Sequence, residues 1–508
     1  MPDTRRIARN TLFLYFRQIL IMAVSLYTVR VVLAVLGAED YGIYNVVAGV
    51  VVLFGFVNSA MASGTQRFLN TSMGEGDEKK TEGVFTASLV LHLLIAVFVF
   101  ALAETVGRWF IGGMLRFPVG REKAVMWCYQ FIVATTIVNV IRIPFYATII
   151  AYEQMSFFAV ISTMECLLRL VIVFFIRFVP FDALVFYAFI GFFVALVSTV
   201  VYVLFCKRAY TVVCISAKAD AALVKEIAKF SGWTLLTGCA DMCKAQGTSM
   251  IFNVRYGVAI NAAMGIGNQV SSALYQFVSN FQSAYTPQIV QSYAMGDKDA
   301  FRRLVVQSMK ISFILFSAVV IPFSVNAERV ISLWLKGIVP DYTLVFVYGM
   351  LLDSLVGTFV GPLASAMQGI GNIRIYQAVI SVFIFLNLPA TFMLVRLGFP
   401  PEYMLAVRVV LSLAALIWRL FYMKDALAIR PVAFFFSTVF LGLTIDSIAL
   451  FSGSVVKNAL NERSGTMAFL LSCVVSVSLV CAFSYVVLLS REERRAIARI
   501  IGARRGIV

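Results

Sequence analysis

A single histidine, His92, has to serve a chain of 508 residues. It stands alone in an apolar segment, so a histidine-based metal cluster and a Ser/His or Cys/His nucleophile pair find no support. Charge is scarce too: Asp, Glu, Lys and Arg make up 13% of the chain, roughly half the share of a soluble domain. No glycine-rich loop has the spacing of a nucleotide-binding P-loop, which argues against an ATP-driven pump within this chain. The alternating strands of about 10 residues that build a membrane barrel are missing as well. The eight cysteines lack disulfide or metal-ligand spacing. Cys128, Cys166, Cys239, Cys243, Cys473 and Cys481 lie in apolar runs, and Cys206 and Cys214 near a membrane edge. They read as buried small hydrophobes. No cofactor, metal or catalytic residue is expected.

What the chain has is hydrophobicity. It is 61% apolar with a mean hydropathy of +0.90, and runs of about 20 residues, each long enough to cross a bilayer, recur from end to end. Backbone groups in lipid must be bonded within their own segment, which leaves the helix as the spanning structure. The expected fold is an all-α polytopic membrane protein of about fourteen transmembrane helices. The first run is too long for a signal peptide and has no small-residue cleavage site, so it is expected to be a retained span. The net charge of +16 does not signal nucleic acid, because the basic residues gather in loops on one side. With the N-terminus inside, about 25 Lys and Arg fall on the cytoplasmic side and about 11 outside, the positive-inside pattern. Both termini are therefore expected in the cytoplasm. The C-terminal REERRAIARIIGARRGIV reads as a basic amphipathic helix on the membrane surface, with partner docking as the second reading.

The chain repeats itself. Asp40-Tyr41-Gly42 leads into Ile43-Tyr44-Asn45, a small-residue helix, and a stop at Met73-Gly74-Glu75-Gly76-Asp77. Later, Arg255-Tyr256-Gly257 leads into Asn261, a helix rich in Gly, Ser, Asn and Gln, and a stop at Met295-Gly296-Asp297. Such a repeat is the mark of a carrier built from two pseudo-equivalent lobes. The expected division is an N-lobe at 1–206, a cytoplasmic linker with an interfacial helix at 207–230, a C-lobe at 231–424, two further spans at 425–490 and a basic tail at 491–508. The interfacial helix rests on the amphipathic pattern of DAALVKEIAKF.

Charges at membrane depth cost about 2.5–3.5 kcal/mol on insertion scales, so each invites a functional reading. Arg17 and Arg30 lie in the first span. Either can face a cavity or snorkel to its nearer interface. Glu165 and Arg169 are spaced i,i+4 and can neutralise each other. Arg142 sits beside Pro144 with no acid in its own span nearby, as a cavity-facing ligand would. The seventh span places Asp241 and Lys244 at the bilayer centre amid Thr234, Thr237, Gln246, Thr248 and Ser249. The eighth adds Asn261, Asn268, Gln269, Gln276, Asn280 and Gln282, and the second a weaker match in Asn45, Asn58, Ser59, Ser63, Thr65 and Gln66. Interhelical hydrogen bonding explains some of these; a hydrated cavity between the halves explains all of them. Its cations would favour an anion, and guanidinium suits phosphate. Asp353, central in the tenth span, is a candidate for proton or sodium coupling, unless another helix supplies it a basic partner.

RNTLFLYFRQILIMAVSLYTVRVVLAVLGAEDYGIYNVVAGVV, followed by MASGTQRFLN, resembles the start of the Wzx-type polysaccharide (O-antigen) flippases, of the superfamily that includes the MATE multidrug exporters. NAAMGIGNQVSSALYQFVSNFQSAYTPQIVQSYAMGD is a weaker match. The resemblance implies two six-helix lobes, plus two C-terminal helices, rocking about a central cavity in the bacterial inner membrane. The substrate would be an oligosaccharide linked to undecaprenyl pyrophosphate, for surface polysaccharide synthesis. Arg17, Arg142 and Lys244, with Arg30, would receive the pyrophosphate and acidic sugars, alongside Asp241, Asn268 and Gln276. Ion coupling and polysaccharide polymerase partners would come with the family. A multidrug exporter is the first competing reading, and would call for an acidic, aromatic cavity. An oligosaccharide polymerase or ligase is the second, and would call for a large external loop where these loops are short.

Overall fold

A computed structural model describes residues 55–113, 120–176, 182–213, 220–256, 258–335, 339–461, 465–491, 493 and 494, with scattered positions between 13 and 48. Arg30, Asn45, Cys214 and the tail beyond Arg494 lie outside these residues, as do the side chains of Asn58, Ser59, Gln246 and Asn261. All regular structure among the described residues is helical, in two compact units that meet in sequence between Gly238 and Cys239.

The first unit holds α1 (Gly55–Glu75), α2 (Glu78–Leu102), a π-helical turn (Ala103–Gly107), α3 (Arg108–Gly113), α4 (Glu122–Ala151), α5 (Met155–Phe175), α6 (Ala183–Ala209) and the first half of α7 (Ala221–Tyr256). The second holds the rest of α7, then α8 (Val258–Ala294), α9 (Lys298–Val325), α10 (Ala327–Trp334), α11 (Thr343–Ile370), α12 (Arg374–Phe385), α13 (Asn387–Arg396) and α14 (Glu402–Tyr422). It closes with α15 (Lys424–Leu427), α16 (Pro431–Phe434), a second π-helical segment (Phe435–Phe440), α17 (Leu441–Asn461) and α18 (Gly465–Val487).

The sequence repeat becomes a repeated turn. Gly76 and Gly296 both take positive φ, +74° and +78°, just past the ends of α1 and α8. Each is followed by an aspartate whose Oδ1 accepts the backbone N–H three residues on, Lys80 for Asp77 and Ala300 for Asp297, at 2.9 Å in both cases. The chain is stopped by a left-handed glycine and restarted by an N-cap, a pairing that local chemistry favours. Packing repeats with it. In the first unit α1, α2 and α4 pack on one another, and α6 covers α4 and α5. In the second, α8, α9 and α11 do the same, and α14 covers α11 and the broken pair α12/α13. The surplus pair, α17 and α18, packs on α9.

Nine helices among the described residues are long and apolar enough to cross a membrane, against about fourteen expected. Four more long helices, α1, α5, α7 and α8, fall outside that set. In α7 and α8 the reason is the polar content that singled them out in the sequence. The expected first span lies mostly outside the described residues. Large apolar side chains face outward on the helices that qualify, such as Val97 and Phe98 on α2 and Phe451 on α17. Lipid accepts what water would not. The protein is a multi-pass membrane protein.

Three local features differ from, or add to, the sequence expectation. The segment expected to lie on the surface as a separate interfacial helix is continuous with the seventh span: residues 221–256 form one helix. Its Phe230 packs edge-on against Phe68 of α1, with centroids 5.9 Å apart, and the Arg67 guanidinium lies 4.6 Å from both rings. The first π turn has an identifiable cause. Tyr129 of α4 reaches into α2 and donates to the Ala103 carbonyl at 2.6 Å. Gly107 makes room for it, since a Cβ there would stand 2.2 Å from the phenol oxygen. Arg121, just ahead of α4, binds both Asp40 and Asp182, tying three segments of the first unit at one end.

Close packing in the second unit gives a first prediction. A Cβ on Gly267 of α8 would stand 2.9 Å from the Met350 sulfur and 3.2 Å from the Phe346 backbone of α11. The methionine can yield; the backbone cannot. Gly267→Ala is expected to cost about 1–3 kcal/mol, as overpacking does. Gly265→Ala, two residues away with nothing within 4 Å, should be neutral or slightly stabilising through helix propensity. Thermal unfolding of the two purified variants checks the contrast.

Candidate functional site

Two polar clusters stand out, one in each unit. That of the first unit draws on four helices. Arg17 is buried at 9% exposure, and its guanidinium lies 4.6 Å from the centre of the Phe158 ring of α5. Tyr146 of α4 meets the same ring edge-on at 5.3 Å and feels the charge of both Arg17 and Arg142. Arg142 stands one turn before Tyr146, 5.5 Å from the ring centre of Tyr202 on α6. It donates to Glu165 Oε2 of α5 at 3.2 Å. Arg169, one turn along α5, reaches the other oxygen of Glu165 at 3.6 Å.

Part of this was visible in sequence and part was not. The expected i,i+4 pair of Glu165 and Arg169 is present. Arg142 has no acid nearby in its own span, as read, yet a carboxylate from the next helix meets it. The electrostatic sum matters more than any one pair. Two guanidiniums share a single carboxylate, and a third lies over an aromatic ring. A guanidinium over an aromatic ring gains about 0.5–2 kcal/mol from that contact. The cluster is a cationic site walled by aromatics.

The cluster of the second unit surrounds a cavity of about 90 Å³, whose polar lining is Lys244 and Thr248 of α7, Asn268 of α8, Asn387 and Thr391 of α13, and Arg408 of α14. That is room for several waters. Phe252, Met264 and Met350 supply apolar wall. Asn387 opens α13, and the break before it turns polar groups inward. Here the charges pair off. Lys244 is 3.1 Å from Asp241, one turn before it. Asp353 receives Arg408 Nε at 2.6 Å and Ser412 Oγ at 2.5 Å. Asp353, whose own helix offers no base, thus has its basic partner on α14. Two cations meet two carboxylates, so this cavity is polar but nearly neutral. Gln276, half-buried two turns along α8 from Asn268, does not line the cavity. Deeper in the same unit Gln282 donates to Ser312 of α9 at 3.1 Å and to the Thr358 carbonyl of α11 at 3.0 Å, a structural hydrogen-bond role.

Arg408 and Ser412 went unread in the sequence. Arg408 is a charge inside an apolar run, which is a signal, but its partner lies 55 residues away. His92 is buried with Nδ1 2.6 Å from the Ser88 carbonyl.

With its repeated pairing of helices, the fold is similar to that of MATE transporters. Among solved structures the chain is similar to an outward-facing multidrug resistance MATE family transporter of the MOP superfamily. They share 14% identity and a TM-score of 0.69, over 83% of this chain and 96% of that one. It is also similar to a MOP superfamily transporter from Pyrococcus furiosus, described as having a binding pocket of reverse polarity that suggests a different function (13% identity, TM-score 0.69, 84% and 97% covered). A MATE structure in the bent conformation is comparable (14% identity, TM-score 0.67, 83% and 95% covered). No family model and no curated protein matches the chain.

Proposed function

We propose that this chain is a flippase that moves oligosaccharide linked to undecaprenyl pyrophosphate across the bacterial inner membrane, by alternating access of two lobes. The observation that carries the reading is the cationic, aromatic-walled cluster of the first unit: Arg142 and Arg169 sharing Glu165, with Arg17 on Phe158. A pyrophosphate needs several donors at once, and guanidinium edges supply them in pairs. The aromatic faces suit the sugar rings that follow. Passage of such a headgroup through hydrocarbon needs a polar path while the lipid tail stays in the bilayer, and the polar lengths of α7 and α8 suit one. Proton or sodium coupling at Asp353 belongs to the proposal; its carboxylate would have to leave Arg408 and Ser412 to take the ion. Polysaccharide polymerases would act on the product, and both termini would face the cytoplasm.

A multidrug exporter is the second reading, favoured by a multidrug resistance transporter among the structural neighbours. The charge sign separates the two, because an organic cation would be repelled where an anion is held. The test is deletion of the gene in its native host, followed by assay of surface polymer and of lipid-linked precursor. Precursor trapped inside and polymer lost, both restored by the intact gene, supports a flippase. Normal polymer with raised sensitivity to organic cations supports the exporter.

A further inference from the structure

Glu165, Asp241 and Asp353 each face a cation. Asp446 faces a serine. It lies at the middle of the span Pro431–Leu460, on α17, at 4% exposure. Its Oδ2 accepts from Ser317 Oγ of α9 at 2.7 Å. Its Oδ1 is buried and has no hydrogen-bond partner among the described residues.

Among the described residues, the elements packed on α17 offer no countercharge. On α9 the charged residues are Lys298, Asp299, Arg302, Arg303 and Lys310, all in its first half, and Lys310 is 3.2 Å from Glu493. On α18 the titratable groups are Cys473, Cys481 and Tyr485, and Cys473 receives Asn326 at 3.5 Å. The π-helical segment before α17 carries none. Lys457, three turns along α17 itself, donates to the Val325 carbonyl at 3.0 Å. The seams around α17 are tight. A Cβ on Gly442 would stand 2.6 Å from the Phe313 ring of α9, and one on Gly453 would stand 2.2 Å from Ser476 Oγ of α18.

Among the described residues, the carboxylate in that setting has one hydrogen bond and no cation. An isolated buried charge of this kind is relieved by taking up a proton. We propose that Asp446 is a proton-binding site. The proton sits on Oδ1, the oxygen without a partner, while Ser317 continues to donate to Oδ2. Water receives the proton when α17 moves off α9, and returns it when the seam closes. The two C-terminal spans thereby become a protonation-sensitive contact on the second unit, independent of what the protein transports.

Infrared spectroscopy of the full chain in lipid nanodiscs tests this, because a protonated carboxyl has a C=O stretch separate from the carboxylate bands. Wild type is compared with Asp446→Asn and Ser317→Ala from mildly acid to mildly alkaline conditions. The expected result is a carboxyl band that Asp446→Asn removes, that Ser317→Ala shifts in frequency, and that wild type loses as the pH rises. Should Asp446→Asn fail to fold, the Ser317→Ala shift assigns the band. No band affected by either variant means an ionised Asp446 and overturns the proposal. A band that is assigned to Asp446 but persists at every pH means a fixed neutral acid that exchanges no proton, and overturns it equally.

Discussion

Arg142→Ala is expected to trap lipid-linked precursor inside the cell and cut surface polymer by tenfold or more. A hydrogen bond to a charged group is worth about 1.5–3 kcal/mol, and at about 1.4 kcal/mol per decade the loss of one such contact weakens anion binding roughly ten- to hundredfold. Folding should survive, because Glu165 keeps Arg169 at 3.6 Å and is not left as an unpaired buried charge. Arg17→Ala is expected to act in the same direction, through loss of the guanidinium held on Phe158. Glu165→Gln supplies the opposite arm. It removes the carboxylate that competes for Arg142 and should tighten anion binding while slowing release. Immunodetection of the inserted protein, run beside the precursor assay, separates lost function from lost protein. Arg142→Ala with normal export would remove Arg142 from the site.

Arg408→Ala is expected to destabilise the second unit by about 3 kcal/mol. Breaking a buried ion pair by deleting one partner costs about 3–5 kcal/mol because the other charge stays behind. The lower end applies here, since the Arg408 side chain retains 30% exposure against 12% for Asp353. Ser412 remains as a single donor to the stranded carboxylate. Adding Asp353→Asn should recover much of the loss, since the double variant leaves no uncompensated charge. Thermal unfolding of both single variants, the double variant and wild type closes a double-mutant cycle. Additive losses would mean that the two residues do not stabilise each other.

Sequence reasoning reached what is local in the chain. The pairs Glu165–Arg169 and Asp241–Lys244 lie within one helical turn, so spacing alone brings them together. The repeated stop of glycine followed by aspartate was legible because each residue type has its own backbone reason to be there. The contacts Arg142–Glu165 and Arg408–Asp353 were not legible, since they cross between helices whose rotation about their axes is set by packing. Asp446 was legible as an acid inside a long apolar run, which its depth alone marks out. The expected interfacial helix is continuous with the span that follows it for a different reason. The polar pattern of DAALVKEIAKF was real, but nothing between Lys229 and Thr234 stops a helix. Gly232 alone costs only about 1 kcal/mol relative to alanine, so the helix runs on into the seventh span.

The first unit's arginine cluster is proposed to hold a pyrophosphate. The direct measurement is binding of a polyprenyl pyrophosphate to the purified full chain in nanodiscs, against the matching polyprenyl alcohol and an organic cation. Tenfold or tighter binding of the pyrophosphate than of the alcohol is predicted, lost in Arg17→Gln/Arg142→Gln and with the cation binding poorly. Equal binding of pyrophosphate and alcohol, or pyrophosphate binding untouched by the double substitution, would rule out that site.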